Sequence, residues 1–234
     1  MTNSIAASPI SPVGRRTFLA GIGAAGLLAL PGCASYGGYS FNDAIARLLF
    51  LSSERAFDRM AAPGGFWDQQ IAQVGFEDML GARGGVLARI LTSGLFKDRL
   101  ANALAPIAYR GAQRAAPVVA DTIRVIGFEN AVDLVRGGPT AATGYLRSEM
   151  GDRLVDAMLP EVGDGLRMAQ DPIVGQALAA LTGIDIPQVA NRFSTKVNDV
   201  IWQQMGIEEA DIRANPRSTN DPLIMGVFGV GARL

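Results

Sequence analysis

Glu208, Glu209 and Asp211 stand within four positions of one another, a density of carboxylates that suggests cation binding or acid–base work. Successive helical residues point about 100° apart, so Glu208 and Glu209 face different ways and make a poor paired-carboxylate site. The expected environment for the three is a solvated helix face. Thr140, Thr143 and Arg147 have a spacing better suited to a ligand. On a helix opening near Pro139 they fall at i, i+3 and i+7, along one face. Two hydroxyls, the N–H groups of a first turn and a guanidinium could together hold an anion there. The competing account makes them a cap, a packed threonine and an exposed charge.

What is missing narrows the chemistry further. The 234 residues contain no histidine, which excludes Ser-His-Asp and Cys-His catalysis, His-held metals or haem, and histidine pH switching. Cys33 is the single cysteine, so intrachain disulfides and multi-thiolate metal sites are excluded as well. The glycine-rich run from Gly226 to Gly231 lacks the Lys and the following helix of a phosphate-cradling loop. Trp67 and Trp202 are expected as core or rim anchors rather than ligand platforms. No catalytic residue, metal or cofactor is assigned. Lys plus Arg number 21 against 22 Asp plus Glu, and no basic run offers a footprint for nucleic acid.

The first 33 residues carry a different kind of signal. Arg15 and Arg16 precede an apolar run from Phe18 to Leu30, shorter than the roughly 20 residues that span a bilayer, which reads as a signal-peptide core. Arg15-Arg16-Thr17-Phe18-Leu19 resembles a twin-arginine export signal, although Gly14 and Ala20 depart from the usual pattern. Leu30-Pro31-Gly32-Cys33 resembles the lipobox of bacterial lipoproteins, with Pro31 its unusual member. The resemblance implies that residues 1–32 are removed and that Cys33 carries the lipid, an anchor gaining about 0.8 kcal/mol per buried CH₂. Ala34 follows where an Asp would resemble an inner-membrane retention signal, so the expected location is the outer membrane, facing the periplasm. Arg15 and Arg16 are the only charges before Cys33, leaving 19 basic against 22 acidic residues in the remainder.

Positioning falls to helices. Residues 33–40 read as a short lipidated tether and 41–234 as one helical domain, all-α throughout. Ser40-Phe41-Asn42-Asp43 fits a capping box, with Asp in the usual place of Glu. Phe41, Ile45, Leu48, Leu49, Ala56 and Met60 then recur at helical spacing, while Arg47, Arg55, Asp58 and Arg59 fall mostly on other faces. Pro63-Gly64-Gly65 should stop that helix, and residues 71–76 are expected to be extended. Helices are expected from Val86 onward. Leu95 to Ala115 should break or kink at Pro106, with a further segment from Pro117 to Ile126. A short helix from Phe128 should stop at Gly137-Gly138, and Pro139 should open the next as its first residue. Leu146, Met150, Leu154 and Met158 form an i, i+4 stripe expected to run unbroken to Pro160. Val189, Phe193, Val197, Val200 and Ile201 form another in the last long helix. Asn215-Pro216 should turn the chain, leaving Leu223 to Phe228 as a short helix or a docked tail.

Two stretches resemble a known exported bacterial family. The first runs from Asp121-Thr122-Ile123-Arg124-Val125-Ile126-Gly127-Phe128-Glu129-Asn130-Ala131 to Gly137-Gly138-Pro139-Thr140-Ala141-Ala142-Thr143-Gly144-Tyr145-Leu146-Arg147. The second runs from Glu208-Glu209-Ala210-Asp211-Ile212-Arg213 and Asn215-Pro216 to Arg217-Ser218-Thr219 and Val227-Phe228-Gly229. The family is domain of unknown function 4197. Gly144, Glu149-Met150 and residues 62–80 depart from its usual pattern. The resemblance implies a helical envelope protein and no particular reaction.

The expected function is therefore a non-enzymatic, lipid-anchored module whose partners are the bilayer, through acylated Cys33, and another envelope component. A carrier of a small apolar or anionic ligand is the first alternative, recognisable by a sizeable apolar cavity. A hydrolase without histidine is the second. It needs two carboxylates in one cleft, or Lys97 or Lys196 beside a buried Ser.

Overall fold

The computed structural model describes residues 40–62, 66–73, 94–167 and 186–231, all within one compact unit spanning 34–234. Arg15, Arg16, Cys33 and tether residues 34–39 lie outside the described residues, as do residues 74–76 and 86–93. Ser40 caps α1 (Phe41–Ala61) through the expected reciprocal box: its Oγ accepts the Asp43 N–H at 3.1 Å, and Asp43 Oδ2 accepts the Ser40 N–H at 3.2 Å. Ile45, Leu48, Leu49, Ala56 and Met60 are buried as their spacing demands. α2 (Phe66–Gln73) corrects the extended reading over 71–73. Trp67 and Ile71, about one helical turn apart, are both buried on the inner face of this helix.

The prolines supply the largest corrections. α3 (Gly94–Val125) is one continuous helix that includes both Pro106 and Pro117, so the chain does not break at Pro106 and Pro117 to Ile126 is not a separate segment. An interior proline removes one backbone hydrogen bond and crowds the preceding turn, a cost of about 3 kcal/mol in isolation. Both prolines are exposed, as are Asn102 and Gln113, whose carbonyls lose the bond, so water can hydrate them. Ala101, Leu104, Ala108, Ala112, Ala115, Val119 and Ile123 meanwhile bury the opposite side. Tertiary burial outweighs the local penalty. Pro160 likewise sits exposed inside a helix, with Asp156 exposed one turn before it.

α4 (Ala131–Arg136) begins three residues later than the sequence suggested and stops at Gly137 as expected. α5 (Ala141–Met150) begins after Thr140, so Pro139 precedes the cap instead of opening the helix. The apolar stripe from Leu146 to Met158 does not ride on one helix. Gly151, at φ +53°, separates α5 from α6 (Arg153–Arg167), yet all four stripe residues are buried.

α7 (Ile186–Ala214) is the hub, packing against α1, α3, α5 and α6. Val189, Phe193, Val197, Ile201 and Met205, every fourth residue, are buried along it. α6 lies close against α3 at Gly165, where an added Cβ would stand 2.9 Å from Ile107 Cγ2. A 3₁₀ turn (Pro216–Thr219) follows the predicted Asn215-Pro216 bend and leads into α8 (Pro222–Gly231), a helix rather than a tail. Eight α-helices and no strand occur among the described residues, so the domain is all-α.

Candidate functional site

The two sequence stretches that carry the family resemblance meet inside the domain. Glu209 is fully buried, and its two carboxylate oxygens accept the backbone N–H groups of Ala142 (3.0 Å) and Thr143 (2.6 Å), in the first turn of α5. Arg213, one turn further along α7, donates from Nε to Glu209 at 2.8 Å. Its two terminal nitrogens donate to the carbonyls of Val135 (3.0 Å) and Leu134 (2.9 Å) at the end of α4. One Glu–Arg pair thus satisfies the free amide end of one helix and the free carbonyl end of another, each with the charge that its dipole favours. The Arg213 guanidinium also lies over the Phe228 ring, 4.9 Å from its centroid, tying α8 to the same cluster. The fan of charge-assisted hydrogen bonds is what makes this buried pair tolerable.

Glu208, turned about 100° from Glu209, meets α1 instead. Only 2 % exposed, it accepts Arg59 Nε at 2.7 Å and Gln204 Nε2 at 2.9 Å on the same oxygen, Oε1. Both acidic residues therefore correct the expectation of a solvated face; of the three, only Asp211 is exposed. Partner numbers fall from Asp221 to Ser218 to Glu208 as α1 runs from Arg47 through Arg55 to Arg59, so the C-terminal part of the chain runs back along α1. Between them lies an open groove of about 640 Å³, lined by Arg55, Asp58 and Arg59 of α1 and by Glu208, Asp211, Asn215 and Ser218. Arg55 is engaged by the Ser218 carbonyl at 3.1 Å and Arg59 by Glu208. Asp58 and Asp211 are exposed and have no hydrogen-bond or ion-pair partner among the described residues. The groove presents two uncompensated carboxylates beside two guanidiniums already held in place. No group of three or more metal-ligating side chains assembles among the described residues.

Thr140, Thr143 and Arg147 do not converge. Thr140 is exposed at the N-cap and makes no side-chain cap bond. Thr143 is buried, and its Oγ1 has no partner among the described residues. Arg147 stands about half exposed on the outer side, paired with Asp199 at 2.5 Å. The start of α5 does hold an anion, and it is the chain's own: an external one would have to displace the Glu209 carboxylate. Trp202 is a core anchor, its Nε1 donating to Asn198 at 2.9 Å, and Trp67 is buried with no partner for Nε1 among the described residues. Ser194 is buried and Lys196 half-buried, but at i, i+2 on α7 they point to nearly opposite sides and form no Ser–Lys pair. Lys97 lies where side chains are outside the described residues.

A second groove, of about 590 Å³, lies between α6 and the start of α7, with Leu159, Pro160, Pro187 and Ala190 among its walls. At the surface near the start of α1, Arg47 donates to Asp221 at 2.6 Å, while Asp221 Oδ1 accepts the N–H groups of Leu223 and Ile224. Burial works to raise the Asp221 pKa. The Arg47 hydrogen bond and charge, with those backbone N–H groups, outweigh it and hold the carboxyl below its ordinary value.

What the sequence missed was the pairing partners. Gln204 and Glu208, and Glu209 and Arg213, are spaced i, i+4 and would have shown the acidic residues as satisfied on their own helix. Arg55, Asp58 and Arg59, at i, i+3 and i+4, were visible as one polar face of α1 without any sign of what lay opposite.

The architecture is that of an all-helical domain closed by a buried ion pair on one central helix, with an open charged groove on one flank. The chain belongs to the family described as "Protein of unknown function (DUF4197)", whose model matches residues 36–229. That span contains both stretches that build the Glu209–Arg213 cluster. No curated protein and no solved structure showed a match.

Proposed function

We propose that this protein is a binding module of the bacterial cell envelope, anchored by lipid on Cys33 in the outer membrane, that receives a segment of a partner protein in the groove between α1 and α7. The observation that carries the reading is the groove's unequal charge pairing. Arg55 and Arg59 are engaged, whereas Asp58 and Asp211 face solvent uncompensated. The groove also lies beside the C-terminal turns of both α1 and α7, whose dipoles add negative potential. A partner with Lys or Arg side chains complements that field, and such rim charges govern encounter and specificity. Anchored protein should be recovered from membranes with its neighbours and identified by mass spectrometry. Asp58→Arg with Asp211→Arg should reduce the recovered partner at least tenfold while lipid labelling at Cys33 persists. An unchanged partner set overturns the groove, and lipid labelling that survives Cys33→Ser overturns the anchor.

A second reading has one specific observation behind it: Asp58, Glu208 and Asp211 line one groove, as a hydrolase built on carboxylates requires. One oxygen of Glu208 is already committed to Arg59 and Gln204, which leaves Asp58 and Asp211 as the available pair. Hydrolysis of an envelope substrate that disappears in both Asp58→Asn and Asp211→Asn would favour this reading over binding.

A further inference from the structure

We propose that α8, with Arg217 just before it, is a second contact between this protein and the lipid surface, a proposal that rests on the lipid anchor at Cys33. The ten residues of α8, Pro222 to Gly231, include no charge. A helix apolar on all sides belongs in a core or against lipid, yet this one lies at the surface. Among its residues of described burial, Ile224 and Phe228 are buried, Leu223, Met225 and Val227 half-buried, and Pro222, Gly226 and Gly229 exposed. Nothing approaches within 4 Å of a Cβ placed on Gly226 or Gly229. The outer side is an uncharged face with no covering element among the described residues.

This face is rigidly mounted. Asp221 caps the helix and is gripped by Arg47, and Arg213 holds Phe228 from inside. Its position along α1 is what selects the occupant. Arg47 lies seven residues from Ser40, about 10 Å along the helix. The seven residues from Cys33 to Ser40 reach about 25 Å at full stretch and about 15 Å when relaxed. A lipid on Cys33 therefore keeps the start of α1, and α8 beside it, close to the bilayer. The groove residues Arg55 and Arg59 lie about 12–18 Å further along α1 than Arg47, where α8 begins. Arg217, exposed in the 3₁₀ turn that leads into α8 and with no side-chain partner among the described residues, supplies a guanidinium that would meet lipid phosphates. Because the anchor already holds the domain at the surface, this contact can be weak and still be occupied.

The test uses the lipidated chain reconstituted in vesicles of phosphatidylethanolamine and phosphatidylglycerol. A spin label is placed at Gly226→Cys, which has open space around it, and in a control chain at Glu54→Cys, exposed on α1. Collision with a water-soluble nickel chelate should be at least threefold lower at position 226 than at position 54, and collision with oxygen higher. Arg217→Glu should restore nickel access at position 226. Flotation of the vesicles reports the anchor in the same sample. Protein that floats while position 226 is as open to nickel as position 54 overturns the α8 contact alone. Protein that fails to float overturns the anchor, and the α8 contact with it.

Discussion

Glu208 and Glu209 are covalent neighbours of the same charge, yet they serve two regions built on opposite terms. Glu209 belongs to a closed cluster in which every charge has its partners: two amides of α5 and Arg213 on one side, two carbonyls of α4 on the other. Glu208 stands at the wall of an open groove, where its Arg59 partner is 57 % exposed and neighbouring Asp58 and Asp211 have no partner among the described residues. The first arrangement leaves no charge for a ligand to complement and fixes two helix ends in place. The second leaves charge unanswered at the surface. Acidic residues close together in sequence therefore do not define a site; the helical turn between them decides which becomes structure and which borders a groove.

The sharpest way to break this contrast is Glu209→Ala. Removing one partner of a buried pair leaves the other uncompensated, at a cost of about 3–5 kcal/mol. For a domain of this size that is a fall in Tm of roughly 6–20 °C. Denaturant unfolding and a thermal scan check it, and a loss under about 0.5 kcal/mol would place Glu209 with the groove instead. Arg59→Ala comes next. It leaves the buried Glu208 carboxylate on Gln204 alone, and solvent access limits the loss to about 1–2 kcal/mol.

Asp221 gives a pH-dependent effect of intermediate size. Its pKa in the fold lies below the ordinary 3.8. Its contribution is therefore complete above that ordinary value and is lost as pH falls through the lowered one. The Tm gap between wild type and Asp221→Asn should be widest near neutral pH and close as the medium is acidified below about 4. A gap that widens in acid would reverse the assignment. The smallest effects belong to Asp58→Ala and Asp211→Ala, each within about 0.5 kcal/mol of wild-type stability. A larger loss from either would show that the groove carboxylates hold the fold, as Glu209 does, and are not left for a partner.

Much of the helical plan was legible because periodicity is local. The Ser40 box, the Gly137 stop, the Asn215-Pro216 turn and the buried stripe from Val189 to Ile201 follow from neighbours within one or two turns. Pro106, Pro117 and Pro160 misled for the same reason. Their cost is a local quantity, and only packing shows that each faces water while the other side of the helix is buried. The apolar stripe from Leu146 to Met158 told which residues are inside and concealed that Gly151 divides them between two helices.

Composition and period alone show that the domain is helical, that histidine and disulfide chemistry are excluded, and which face of the main helices turns inward, because these need no knowledge of distant contacts. What the polar residues do depends on tertiary contacts. Glu209 is 67 residues from Ala142, and Arg59 is 149 from Glu208. Whether a carboxylate ends in a closed cluster or beside an open groove depends on partners that no local pattern brings together.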